Sequence, residues 1–240
     1  MYLIETKRLA VGLWVGLSVV AGQNASAHTV IQNPATEATT TYNNLVIGHG
    51  CTLADGSKQG VIAQSVVFPT VNPIVTVSSG TFAGNPVPFS QTTLANIPQL
   101  IQNKDIFTKQ AEKRDAKGNV IGFTNTEGYL DPDLHGLVPF RTAGINFTPD
   151  GCAKTLLVKV AIADVCQKNG ANNLWIPAVT PKFPDPAVDG IGAPATLIFN
   201  RDLVKNPFAA ASNCGTGYEI TLTPSTEDID ANLPIPGYLP

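Results

Sequence analysis

The stretch KTLLVKVAIADV, Lys154 to Val165, sets Leu156, Val158, Val160 and Ile162 against Leu157, Lys159, Ala161 and Ala163. Successive side chains of an extended chain point to opposite sides, so this period of two predicts a β-strand with one buried face. Such a face needs a second layer over it. Further β-branched runs are Val61 to Phe68, Ile74 to Ser78, Ala195 to Phe199 and Tyr218 to Leu222, each bounded by Pro, Gly or Asn. Lys109 to Phe123 reads as an exposed hairpin around Lys117-Gly118-Asn119, with a short helix as the alternative for its first half. No long stretch carries helical periodicity and no internal repeat is present. With 21 glycines and 19 prolines to punctuate the strands, the chain is expected to be all-β, an antiparallel β-sandwich with long loops. The Pro-rich end NLPIPGYLP reads as an extended tail.

The first residues have a separate logic. Lys7 and Arg8 precede an apolar run, Leu9 to Ala21, that is short for a bilayer span, and Ala25-Ser26-Ala27 is the small-residue pattern at which signal peptides are cut. Residues 1–27 are therefore expected to be a signal peptide and 28–240 a single domain beginning at His28. The secreted chain keeps Cys51, Cys152, Cys166 and Cys214. An even count in an oxidising compartment predicts two disulfides, with all three pairings open, and no Cys-x-x-Cys spacing suggests a thiolate metal site.

Composition excludes several function classes. The net charge of −3 becomes −4 once the leader's Lys7 and Arg8, offset by Glu5, are gone, and no basic run is present to meet a row of phosphates. Nucleic acid is thus not an expected partner. No later segment is apolar enough to cross a membrane, so no transmembrane segment is expected in the mature chain. Met1 is the only methionine and leaves with the leader. With sulfur removed from the ligand list, any metal would be held by nitrogen and oxygen.

Only three histidines, His28, His49 and His135, are available. A chain-terminal histidine offers its α-amine and its Nδ1 to one ion, a chelate known as half of a histidine brace. The amine has to lose a proton whose pKa is only about 7.7 to 8.0. Nitrogen donors in a near-square plane favour Cu(II) among the first-row divalent ions.

The segment HTVIQNPATEATTTYNNLVIGHGCTLADGSKQGVIAQSVVFPT, with its Gly48-His49-Gly50-Cys51 element, resembles the opening of the YcnI-like family of secreted copper-binding domains. VCQKNGANNLWIPAVTPKFPDPAV, Val165 to Val188, resembles the family's late segment of Cys, polar turn, Trp and Pro-Ala-Pro-like stretch. The residues between Thr70 and Asn146 match neither segment and suggest an insertion. The resemblance implies an immunoglobulin-like sandwich with one copper at the mature N-terminus, held by the terminal histidine, by a carboxylate in some members, and bordered by a tryptophan. Those roles carry to His28 and Trp175. His49 lies where the carboxylate would be expected, with Glu37 and Asp55 as other candidates. His49 is favoured, since a second imidazole would complete three nitrogens and leave one position for water.

Trp14 leaves with the leader, so Trp175 is the one tryptophan of the mature chain; it is either a core residue or a wall that shields the copper. The resemblance supports a Cys51–Cys166 bridge, which would gather the His49 and Trp175 loops, and leaves Cys152 with Cys214. His135, in YLDPDLHGLVPF, has no counterpart in the family and is expected at the surface, and Asp131 and Asp133 beside it are assigned no function.

The leading expectation is a non-enzymatic copper protein of the periplasm or cell surface. It would acquire, buffer or transfer copper, with a copper transporter or chaperone as partner. A lytic polysaccharide-type copper monooxygenase also begins at histidine, but one Trp and few Tyr give it little aromatic surface for a polysaccharide. A structural or adhesive β-domain with an incidental terminal histidine is the third reading. No hydrolase motif and no Gly-rich phosphate loop is recognisable. Intact mass of the secreted protein is expected to match residues 28–240; a mass that retains any residue before His28 would remove the terminal chelate.

Overall fold

The computed structural model describes residues 28–78 and 96–240. The expected signal peptide, with Trp14, lies outside the described residues. The chain runs through β1 (Val30–Ile31), β2 (Ala35–Thr36), β3 (Thr41–Ile47), β4 (Cys51–Thr52), β5 (Lys58–Gln59), β6 (Ala63–Val67) and β7 (Ile74–Val77). It continues with β8 (Pro98–Leu100), β9 (Phe107–Arg114), β10 (Val120–Gly128), β11 (Gly136–Thr142) and β12 (Ala153–Val165). β13 (Asn172–Trp175), β14 (Ala195–Asn200), β15 (Tyr218–Thr223) and a short helix α1 (Thr226–Asn232) complete it.

Two sheets face each other in a curled sandwich. The smaller has the order β1-β3-β11-β8; the larger has β2-β14-β12-β6-β10-β9, with β13 and β15 also paired to β12 and β7 beyond β15. The core between them joins Leu45, Ile47, Val138 and Phe140 of the small sheet to Val66, Phe123, Leu156, Val158, Val160, Ile162, Leu197 and Phe199 of the large one. Phe140 packs against Phe68 and Phe123 at ring separations of 6.2 and 6.0 Å, within the range where aromatic pairs attract. The expected all-β sandwich is therefore what the chain forms. Most pairings are antiparallel, but β12 with β15 and β14 with β2 are parallel. The segment between Thr70 and Asn146, expected to hold an insertion, supplies β8 and β11 to the small sheet and β7, β9 and β10 to the large one. Lys109 to Phe123 is a hairpin, β9 turning into β10, and its first half is strand.

β12 organises the large sheet because its neighbours change along its length. Thr155–Val158 lie between β14 and β15, whereas Ile162–Val165 lie between β6 and β13. Burial changes at the same point. In the first half Leu156, Val158 and Val160 are buried and Thr155, Leu157 and Lys159 are partly exposed; from Val160 onward every residue is buried. The expected single buried face is thus true of only half the strand. The other face of the second half, Ala161, Ala163 and Val165, is covered by Leu174, Ile176, Phe183, Ile229, Leu233, Ile235 and Leu239. The Pro-rich end is accordingly no free tail. Its prolines hold it out of helix, but Leu233, Ile235 and Leu239 give it an apolar side, and Ile235 bridges to Leu239 as it turns back. Ser225 caps α1 by accepting from the Asp228 N–H at 3.1 Å. No helix among the described residues is long and apolar enough to cross a membrane.

Lys113 of β9 fastens this cover. Its partner across β10 is Gly122, whose own partner is Val67, so the side chain can lie over the glycine towards β6. Its Nζ donates to Ser65 Oγ at 2.7 Å and to the carbonyl of Asn232 at the end of α1. Burial lowers its pKa from 10.5 to about 8. The folded protein therefore releases this proton before the unfolded chain does, and stability from this group rises with pH between about 8 and 10.5. Lys113→Met is expected to flatten that rise, as measured by urea unfolding at intervals across the window. An unchanged slope would place the group in water.

Candidate metal centre

The inward stripe of β12, Leu156, Val158, Val160 and Ile162, leads by parity to Asp164, which is fully buried. An ionised carboxylate only accepts hydrogen bonds, and here it has three donors. Thr29 Oγ1 and Trp175 Nε1 donate to Oδ2 at 2.5 and 2.7 Å, and Gln64 Nε2 donates to Oδ1 at 2.8 Å. Burial pushes the carboxyl above its ordinary pKa, while the three donors pull it back.

β13 places Trp175 beside Asp164, because Trp175 pairs with Ile162 and Asn173 with Asp164. The indole is 1 % exposed, yet its face lies against the imidazole of His28 at 4.9 Å with 29° between the planes. His49 meets the same indole edge-on at 6.0 Å and 87°. The two expectations for Trp175 are therefore not exclusive: it belongs to the core and borders both histidines. A shallow groove of about 390 Å³ continues from His28 along Thr29, Val30 and Ile31 to Ala193–Thr196.

The His49 loop is held from several sides. Cys51 and Cys166 are joined, with Cα atoms 6.1 Å apart, which ties the residue two beyond His49 to the end of β12. Cys152 and Cys214 form the second bridge, so both pairings are those the resemblance supports. Gly50 passes so close to the Gln59 carbonyl that a Cβ there would lie 2.0 Å from its oxygen. The Gly50 carbonyl accepts from His49 Nδ1, and from Asn173 Nδ2 at 3.3 Å. The remaining ring nitrogen, Nε2, faces Oδ2 of Asp189 at 3.8 Å. Asp189 is fixed by its own backbone, whose carbonyl accepts from Leu174 N–H at 2.7 Å. Gly190 follows at φ +99°, and a Cβ on it would come within 2.5 Å of Trp175 Cε3, so glycine is required for the chain to pass the indole.

The other candidates lie elsewhere. Glu37 is at the far end of β14 from His28, where it accepts from Phe147 N–H, Asn206 Nδ2 and Asp202 N–H at 2.7, 2.7 and 3.1 Å. Asp55 sits in the exposed β4–β5 turn and is bonded to Ser57. His135 is exposed on the loop before β11. Asp133 forms an exposed ion pair with Lys58 of β5, and Asp131 accepts from the Asp133 N–H at 3.0 Å within its own turn. Among the described residues no three His, Cys, Asp or Glu side chains converge as a preformed metal cage. The donor set is two imidazoles on one indole plus the α-amine that cleavage at Ala27 would free, nitrogen chemistry that fits Cu(II). Asp164 and Asp189 are the site residues that sequence reasoning missed. An acid at an inward position of an apolar stripe is the signal for the first, but Asp189 carries none.

No family model matches the chain, and no curated protein or solved structure is found to match it.

Asp164→Ala would leave the Trp175 indole, the Thr29 hydroxyl and the Gln64 amide without their acceptor inside the protein. A loss of about 3 kcal/mol or more is expected in denaturant unfolding, with a shift of the Trp175 emission. A loss under about 1 kcal/mol would mean that water replaces the carboxylate there.

Proposed function

We propose that this is a secreted copper-binding protein that acquires, buffers or hands over one Cu(II) and does not turn over a substrate. Removal of the leader frees the α-amine of His28, which closes a chelate with its own imidazole, and His49 supplies a further nitrogen. The observation that carries this reading is the placement of His28 and His49 against one indole, His28 stacked on it and His49 perpendicular to it. The indole N–H is already committed to Asp164. Trp175 therefore has only its π-face to give, which can shield an ion and attract it but not ligate it. A shielded ion suits storage and transfer better than reaction with oxygen at an open position.

Titration of the mature protein with Cu(II) is expected to saturate at one equivalent and to quench the Trp175 emission nearly completely. Placing a glycine before His28 turns the amine into an amide and is expected to abolish tight binding and change the EPR spectrum. His49→Ala is expected to weaken binding by about 10- to 100-fold, equivalent to about 1.4 to 2.8 kcal/mol. His135→Ala is expected to leave affinity unchanged. Unchanged affinity and EPR in the glycine-extended protein would overturn the chelate, and equal losses at His49 and His135 would overturn the choice of second histidine.

A further inference from the structure

We infer that Asp189 is a metal ligand that shares one ion with Nε2 of His49, so that the two residues act as a single nitrogen-and-oxygen arm of the site. The inference takes the identity of the ion from the copper reading, but the pairing itself rests on local geometry.

The argument begins with the tautomer of His49. Its Nδ1 lies against the Gly50 carbonyl, and a carbonyl oxygen can only accept, so Nδ1 carries the hydrogen. Nε2 is thus the nitrogen left to bind a metal, and it faces Oδ2 of Asp189 at 3.8 Å. The separation is too long for a direct N–H···O hydrogen bond, whose upper range is about 3.2 Å. With bonds of about 2.0 to 2.2 Å to histidine nitrogen and carboxylate oxygen, one ion spans donors about 2.9 Å apart at a right angle and about 4.2 Å apart in line, so the pair lies between these spans and a small side-chain adjustment brings both donors onto one ion.

The backbone that carries each of these two side chains is anchored. His49 is held by Gly50, whose close pass at Gln59 leaves no room for a Cβ, and by the Cys51–Cys166 bridge two residues on. Asp189 is held by the Leu174 N–H and by Gly190 passing the indole. The two side chains are 27 % and 52 % exposed, so an ion can enter from solvent between anchored donors. Asp189 also brings an anionic oxygen to a donor set otherwise composed of neutral nitrogens, which offsets part of the charge of a divalent ion. The carboxylate role that sequence reasoning looked for at Glu37 or Asp55 falls instead to a residue 14 positions after Trp175.

The test uses the mature protein, Cu(II) as the probe, competitive titration for affinity and EPR for the ligand field. Asp189→Asn keeps the shape and the backbone contact and removes the anionic oxygen. It is expected to weaken Cu(II) binding at least tenfold and to shift the EPR parameters, with unfolding midpoint and metal-free Trp175 emission unchanged. Asp185→Asn, an equal change of net charge at an exposed position, is expected to leave both readouts at the wild-type values. Wild-type affinity and spectrum in Asp189→Asn would overturn the inference, as would equal losses in Asp185→Asn. The glycine-extended protein separates this result from the terminal chelate. If the extension has no effect while Asp189→Asn does, the chelate fails and the Asp189 arm stands; the reverse pattern keeps the chelate and removes Asp189.

Discussion

Oδ2 of Asp164 accepts a hydrogen bond from Thr29 and another from Trp175, while Oδ1 accepts from Gln64, all within the interior of the sandwich. Burying a carboxylate costs several kcal/mol unless donors surround it, so these partners are needed to keep it there. The geometry of the histidines descends from this arrangement. Thr29 is the residue next to His28, and its bond fixes where the terminal segment comes to rest. Trp175 is fixed by the same oxygen. The stack of His28 on Trp175 is therefore the by-product of two groups answering to one acceptor.

β12 makes such a position possible. A strand whose outer face met water would leave its second half within reach of solvent, and a carboxylate there would be ordinary. Here α1 and the Pro-rich end cover Ala161, Ala163 and Val165, so water is kept from both sides of the strand at the level of Asp164. The Lys113 contact to Asn232 holds that cover in place. The chain's last residues and its first described ones are thus connected through one strand.

Much of the sandwich was legible because period-two runs report local geometry directly: Leu156 to Ile162, Ala195 to Phe199 and Tyr218 to Leu222 all lie in strands where the alternation placed them. The parallel pairing of β12 with β15 was not legible, because periodicity shows which face a residue takes but not which strand lies alongside. The Pro-rich end was misread for a related reason. Leu233, Ile235 and Leu239 are too irregularly spaced to register as a strand, and only the apolar surface they cover gives them a role. At the candidate site, His28, His49 and Trp175 were marked by rarity in the chain. Asp164 was visible in principle as a polar residue in phase with a buried stripe. Asp189 was one acid among many, and only the backbone bond to Leu174 and the passage of Gly190 set it opposite His49.

The bond from Thr29 to Asp164 joins residues 135 positions apart. His28 and Thr29 are made early, but the acceptor that seats Thr29 comes only with β12, and the indole that His28 stacks on later still. Closing so long a loop costs entropy that only the finished sheet can offset. The Thr29 segment therefore cannot take its place until the chain through Trp175 has been made, so the seat of an early segment is built by residues that follow it at long range.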